Sequence, residues 1–428
     1  MTRAIGLDFG TTNSAIAVVD DGSPRLATFR MEAPVQTFPS VMYFDAARRR
    51  AAGMPPPRVH AGHAAIDEYL SADTKGRFLQ SLKAYLAEPS FEGTTIGHRK
   101  YSIDDLIAII LKQLRDAATT SLGDLSGPVV AGRPVMFSQA RSAADNEVAT
   151  RRLTAALATA GFTTVRFEYE PVAAAYAYEQ RLTHDELVLI GDFGGGTSDF
   201  TIVALGPGRR RDRPDDAIVG TEGVALAGDA FDKQIIRHVV APRLGSGSQY
   251  LSQPSKFLAM PSWPYANLER WHYLSFLKTP ENIDMLERLQ ANALFPERIE
   301  AFLHLVRDDL GFEMHRAVQQ AKNALSFEDA VEFRFSVSPL QIAQRITRTE
   351  FTAWIAEELT AIRESVQRLL ETSGTKPQAI DRVFLTGGSS FVPAVRQVFI
   401  DLFGAERITG GQELTSVAAG LALSAARR

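Results

Sequence analysis

Two short segments of this chain place an acid, small residues and threonine between apolar runs. Asp8-Phe9-Gly10-Thr11-Thr12-Asn13 separates residues 4–7 from 14–19. Asp192-Phe193-Gly194-Gly195-Gly196-Thr197-Ser198-Asp199 separates 187–190 from 200–203. Glycines let backbone N–H groups converge on an anion, and threonine hydroxyls add donors at the same end. An aspartate in front of such a turn repels phosphate unless a cation lies between them. Asp8 and Asp192 therefore suit hydrated Mg²⁺, which keeps its waters and bridges carboxylate to phosphate. One such turn alone reads as an ordinary hairpin. Two, each after an apolar strand, point to a cleft that grips phosphate from both sides. Their separation is too long for a solenoid repeat and fits two repeated halves.

Each half needs strands and helices to hold its turn. Ser102-Ile103-Asp104-Asp105 is a capping signal ahead of a helix with Ile103, Leu106, Ile107, Ile110, Leu111 and Leu114 on one face. Pro171 suits the first turn of an alanine-rich helix over 172–181. Thr347 and Glu350 open one long helix carrying Phe351, Trp354, Ile355, Leu359, Ile362, Val366 and Leu370. Residues 381–385 then read as a strand, Gly387-Gly388 as a turn and 393–403 as a helix stopped at Gly404. Strands alternating with helices make the chain α/β. Residues 37–124 and 242–312 look peripheral, with Pro55-Pro56-Pro57 marking a loop in the first and Trp263 and Trp271 in the second. Residues 206–216, with Arg209-Arg210-Arg211, read as a solvated hairpin rather than a nucleic-acid patch. His60 and His63 have no third ligand nearby in sequence and read as a surface segment.

Composition narrows the class further. Hydrophobic residues make up 45% and charged residues 22% of the 428, which excludes a disordered tail, a collagen-like fibre and a coiled-coil rod. A formal charge of −4 gives no overall pull toward nucleic acid. The 0 cysteines exclude disulfides, thiolate metal sites and a cysteine nucleophile. The longest aliphatic stretch, 106–111, stops at Lys112, well short of the roughly 18 apolar residues of a spanning helix. Residues 5–8 begin the first strand at once, leaving no room for a signal peptide. The expectation is a cytoplasmic protein of two or three domains, with no membrane partner.

The segment 5–14 resembles the first phosphate motif of the heat-shock 70 chaperones, and 192–199 is similar to their second. Glu170-Pro171-Val172-Ala173-Ala174-Ala175-Tyr176-Ala177-Tyr178 resembles the segment that joins the halves. Leu385-Thr386-Gly387-Gly388-Ser389-Ser390 resembles the adenosine motif, and Ala418-Ala419-Gly420 the closing helix. These five occur in family order over nearly the whole chain. The resemblance implies the actin-like ATPase fold, a duplicated ribonuclease H-like architecture with two lobes around a nucleotide cleft. Lobe I would span 1–186, with an outer subdomain at about 37–124, and lobe II 187–411, with an outer subdomain at about 228–345. A helix in 412–428 would return to lobe I.

That resemblance also assigns roles. Asp8 and Asp192 would hold Mg²⁺ through water, while Gly10, Thr11, Thr12, Asn13 and Gly194, Gly195, Gly196, Thr197 cradle the phosphates of ATP or ADP. Glu170 and Asp199 would orient the attacking water or take its proton, and Lys83 would offset charge on the γ-phosphoryl. A surface lysine is the competing reading of Lys83. Gly228 opens a segment, Gly228-Asp229-Ala230-Phe231-Asp232, similar to a family turn whose first glycine is here Ala227. Lys322, Ser326, Gly387, Gly388 and Ser389 keep the adenosine pattern, whereas Gln319 and Asn323 replace a Glu and an Arg, and Phe391 replaces a second Arg. Phe391 either stacks on the base or turns into the core behind Val392 and Val395. Both alternatives imply weak affinity and poor choice between ATP and GTP.

The peptide-binding domain of the family has no counterpart before Arg428, so a truncated relative is expected. The function implied is a slow Mg-ATP hydrolase acting as a conformational switch, with a protein partner that senses nucleotide state. The aromatic segment 242–312 is either that partner's surface or a private core. A nucleotide-dependent scaffold or polymer, and a small-molecule kinase, share the fold and remain as alternatives.

Overall fold

The computed structural model describes residues 3–29, 34–45, 58–72, 76–91, 93–179, 182–208, 217–224, 226–253, 255–269, 277–338, 340–409 and 416–426. Pro55–Pro57, Arg209–Arg211 and Trp271 lie outside these.

Two sheets carry the two turns. In the first, β1 (Ile5–Phe9), β2 (Asn13–Asp20) and β3 (Ser23–Leu26) run as an antiparallel meander, and β4 (Val129–Arg133) and β5 (Val165–Tyr169) add in parallel on the other side of β1. The order is β5-β4-β1-β2-β3, with Phe38–Pro39 pairing β2 off this path. The second sheet is built from β6 (Glu186–Phe193), β7 (Ser198–Leu205), β8 (Ile218–Val224), β9 (Arg382–Thr386) and β10 (Ile408–Thr409). Its order, β8-β7-β6-β9-β10, is that of the first read backwards. Hairpin and parallel pairings also match, β6 lying antiparallel to β7 and parallel to β9. The duplication seen in the two acid–glycine segments is thus a duplication of whole sheets.

Both aspartates sit inside strands rather than in the turns: Asp8 faces Ala15 across β1 and β2, and Asp192 faces Asp199 across β6 and β7. A strand position fixes a carboxylate more firmly than a loop does. The strands are apolar on both faces because helices cover them. Ile5, Leu7, Ile16 and Val18 share one core with Leu106, Ile107, Ile110, Leu111 and Leu114 of helix Ile103–Leu122 and with Leu153 and Leu157 of helix Ala143–Thr159. The capping box expected at Ser102 and Asp105 is present. Helix Ile103–Leu122 therefore belongs to the central core, although it falls in a stretch that reads as peripheral.

The C-terminal helix Ser416–Ala426 packs on β1, β2, β4 and helix Glu170–Glu179. Close approach rests on small residues: a Cβ added at Gly420 would lie 1.7 Å from the Ala173 carbonyl oxygen.

The described chain divides into two units, one of residues 1–227, 362–390 and 397–428, the other of 228–361 and 391–396. The second unit holds helix Gly311–Leu325, the hairpin Ala330–Val337/Leu340–Thr347 and the helices of the 242–312 segment. In that segment Leu268, Leu286, Ile299, Phe302 and Leu303 are buried, while Phe257, Trp263 and Leu294 are exposed. The helix opened by Thr347 breaks at Ile355 (φ −94°, ψ 13°) into Arg348–Trp354 and Ala356–Thr372. Ile355 is fully buried and Trp354 stacks on His238 at 4.7 Å. Packing at these two residues overrides the continuous helical pattern of the sequence.

Candidate functional site

Lys83 is buried, which removes the surface reading. It stands in a 3-10 turn, Leu82–Tyr85, entered through Ser81 in a left-handed conformation (φ 56°). Its Nζ donates to Glu170 Oε1 at 2.7 Å, and both residues are buried. Glu170 opens helix Glu170–Glu179 directly after β5.

The two turns close differently. In the first, a Cβ at Gly10 would lie 2.1 Å from the Asn13 carbonyl oxygen. Ser40 N–H donates to the Thr12 carbonyl at 2.8 Å, and the hydroxyls of Ser14 and Ser40 are bonded at 2.8 Å. The Thr11 side chain is half-buried, while Thr12 and Asn13 are exposed. In the second, Gly194 N–H donates to the Thr197 carbonyl at 2.9 Å, and Thr197 Oγ1 donates to Asp199 Oδ2 at 3.2 Å. Gly195 and Gly196 lie between these residues. Gly387, with φ 85°, follows β9 beside this turn, where a Cβ would lie 2.1 Å from the Phe193 carbonyl oxygen. Gly388 and Ser389 continue into a 3-10 turn ending at Phe391.

Charge explains why these groups need a ligand. Burial pushes the Asp8 carboxyl well above its usual range, and Glu170 and Asp192 add to this while Lys83 opposes it. Asp192 rises to about 7, through burial and then Glu170, with Lys83 opposing. Asp199 also rises to about 7, through burial, Asp192 and Glu170, against the Thr197 hydrogen bond and Lys83. Burial lowers the Lys83 ammonium, but Glu170, Asp8 and Asp192 outweigh it and the net movement is upward. Four carboxylates around one ammonium leave an excess of negative charge, and that excess fits a divalent cation. Among the described residues no three His, Asp or Glu side chains form a ready-made direct ligand group. His60 is instead beside Asp45 at 3.6 Å, and His63 meets the Thr37 carbonyl at 3.1 Å.

A model of the Hsp70 protein family matches residues 4–245 and 308–427. The chain belongs to the Hsp70 family. Its fold is accordingly the actin-like ATPase fold, and the duplicated sheets are the two halves of that architecture. Hsp70 proteins are chaperones that bind ATP or ADP with Mg²⁺ and hydrolyse ATP. The unmatched residues 246–307 fall within the aromatic segment. Among the described residues no helix is long and apolar enough to cross a membrane.

Lys322, Ser326 and Phe391, which the resemblance would place at the adenosine, lie in the second unit. Lys322 is buried, with Nζ 2.8 Å from Asp232 Oδ1 and donating to the Gly228 carbonyl at 3.2 Å. Ser326 caps the same helix and donates to the Lys322 carbonyl at 3.4 Å. Phe391 does not turn into the core: it is 37% exposed, with its ring 6.1 Å from that of Phe327, itself 73% exposed.

Two glycines that sequence reasoning passed over lie against Glu170 and Asp199. A Cβ at Gly132 would lie 3.1 Å from Glu170 Cγ, and one at Gly223 would lie 3.0 Å from Asp199 Oδ1. Asp232 anchors Lys322. An isolated glycine inside a strand pattern signals a close approach, and both Gly132 and Gly223 carry that signal.

Proposed function

We propose that this Hsp70 protein binds Mg-ATP between its two phosphate turns and hydrolyses it slowly, using the change from ATP to ADP as a conformational switch. The observation that supports this best is the buried Lys83–Glu170 pair among Asp8, Asp192 and Asp199. The backbone N–H groups of Gly10–Asn13 and of Gly195–Thr197 bind the phosphates, the Gly194 N–H being spent on closing its turn. Asp8 and Asp192 would hold Mg²⁺ through its waters, and the ion would supply positive charge against the phosphates. Lys83 faces the charge that develops on the transferred phosphoryl group. Glu170 orients the attacking water. Asp199, bonded to Thr197 at the end of the second turn, is placed to take up that water's proton.

A partner that distinguishes the ATP-bound from the ADP-bound form reads the switch, and the setting is the cytoplasm. Purified protein with Mg-ATP tests the proposal when scored for phosphate release, sedimenting polymer and labelled acceptor together. Release without polymer or acceptor supports it. Phosphate transferred only when a sugar or acid is present eliminates it in favour of a kinase. Polymer that forms with ATP regardless of hydrolysis eliminates it in favour of a scaffold.

A further inference from the structure

Glu170 begins its helix one residue after Tyr169, the end of β5. Tyr169 is held by the neighbouring strand. Arg133, the last residue of β4, is its partner in register, with Cζ 4.5 Å from the tyrosine ring centre and Nη2 donating to the hydroxyl at 2.9 Å. The Tyr169 N–H donates to Glu168 Oε1 at 3.1 Å. One step back on β4, Gly132 leaves the space that Glu170 Cγ occupies. The outer side of this strand end borders a cavity of about 750 Å³, lined by Arg133, Glu168 and Tyr169 with Asn146, Thr150 and Arg151.

We infer that Arg133 and Tyr169 are positioning residues for Glu170. A guanidinium over the ring and bonded to its hydroxyl restrains the tyrosine in both translation and rotation. The end of β5 then has one exit direction, and that direction delivers Glu170 Oε1 to Lys83 at 2.7 Å. Both residues stand outside the phosphate turns, on β4 and β5, so nucleotide affinity is independent of the clamp while the rate of the chemical step is not. This rests on the role given to Glu170 above. Because the clamp borders an open cavity, truncating it opens no new void in the core and the fold is spared.

The test is single-turnover hydrolysis of Mg-ATP by the full chain, with binding titrated in parallel and thermal melts as a check on folding. Arg133→Ala and Tyr169→Ala slow the chemical step by about 10- to 100-fold, the scale on which an ångström of misplacement acts, with ATP affinity held within about twofold. Arg133→Lys loses the planar fork and behaves as the alanine variant does. Tyr169→Phe keeps the ring under the guanidinium and falls between wild type and alanine. In a Glu170→Gln background Tyr169→Ala causes no further slowing, because residues that act as a unit are not additive; an additive loss there overturns the clamp. A slow Glu170→Gln beside a wild-type Tyr169→Ala also overturns the clamp and leaves the hydrolase intact. A wild-type rate in Glu170→Gln overturns the role of Glu170 itself. Should Tyr169→Ala not fold, Arg133→Lys against Tyr169→Phe decides: wild-type rates in both dismiss the inference.

Discussion

Lys83 Nζ lies 2.7 Å from Glu170 Oε1, and one residue stands on a short 3-10 turn while the other opens a helix 87 residues later. The pair is buried but not electrically balanced, since Asp8, Asp192 and Asp199 share its surroundings. Removing one partner of a buried pair costs about 3–5 kcal/mol. The two single variants differ here. Lys83→Met leaves every carboxylate without its ammonium and meets that full cost, whereas Glu170→Gln removes one of the crowded charges and costs clearly less. Chemical denaturation of both variants measures the difference. Equal losses contradict the charge imbalance.

Asp192→Asn keeps the shape of the second turn's strand but removes one of the two carboxylates proposed to hold the cation. Thr197→Ala removes the hydroxyl bonded to Asp199. A hydrogen bond to a charged group is worth roughly 1.5–3 kcal/mol, so each variant slows hydrolysis by about tenfold or more while the protein stays folded. Phosphate release over a range of Mg²⁺ concentrations separates them, because only Asp192→Asn shifts the Mg²⁺ requirement. Wild-type hydrolysis in Asp192→Asn sinks the assignment of this cleft.

The parts of the site that are local in sequence were legible there. Asp8 and Asp192 each stand at the end of an apolar run, and Gly194–Thr197 announce a turn by composition. What the sequence could not supply is the company of these residues. Whether Lys83 is a solvated lysine or a buried cation depends on Glu170, and nothing within the reach of periodicity joins them. The break at Ile355 is hidden for the same reason: Phe351, Ile355 and Leu359 keep helical spacing, and the stacking of Trp354 on His238 is a tertiary fact. Strand pairing explains the rest. Gly132 faces Glu168 only because β4 and β5 run in parallel register.

Acid titrates a buried histidine in the second unit. His315 lies with its Nε2 3.9 Å from Asp232 Oδ2, near Lys322. Burial lowers it to about 4, with Asp232 opposing and Lys322 assisting. A histidine kept neutral in the fold contributes stability that is fully present above its unfolded value near 6.5 and is lost as pH falls toward 4. The full effect is up to about 3 kcal/mol. Asp229 acts in the other sense: raised to about 6 by burial and Asp232, it destabilises as pH rises through that value. Over about pH 4–6 the two slopes oppose each other. His315→Gln removes one of them, so its stability relative to wild type rises as pH falls from 6.5 to 4. A difference that stays flat with pH rejects the histidine's role.

The C-terminal helix tests the packing of the first unit. With the Ala173 carbonyl 1.7 Å from a Cβ at position 420, even Gly420→Ala must push two helices apart. Overpacking of this kind costs about 1–3 kcal/mol, and Gly420→Val costs more. Thermal melts should show both losses, and ATP should recover part of each by binding only the folded state. Undiminished stability in Gly420→Val would falsify the close approach of these helices.

Phe391 concerns the base. A phenyl ring 37% exposed and tilted against the more exposed Phe327 is apolar surface that water leaves uncompensated. It lies in the same unit as Lys322 and Ser326, the residues that keep the family's adenosine pattern. An aromatic face accepts any purine, because every base has a π-face, and stacking is worth about 1–3 kcal/mol. Guanidinium groups would have added cation–π attraction of about 0.5–2 kcal/mol, and Asn323 and Phe391 supply none. ATP and GTP are therefore expected to bind with similar, modest affinity. Phe391→Ala weakens both by about tenfold or more at that stacking energy, while magnesium tripolyphosphate, which has no base, binds both proteins alike. Titrating the three ligands against wild type and Phe391→Ala decides the matter. Strong preference for ATP, or equal affinities in the two proteins, removes Phe391 from the nucleotide site.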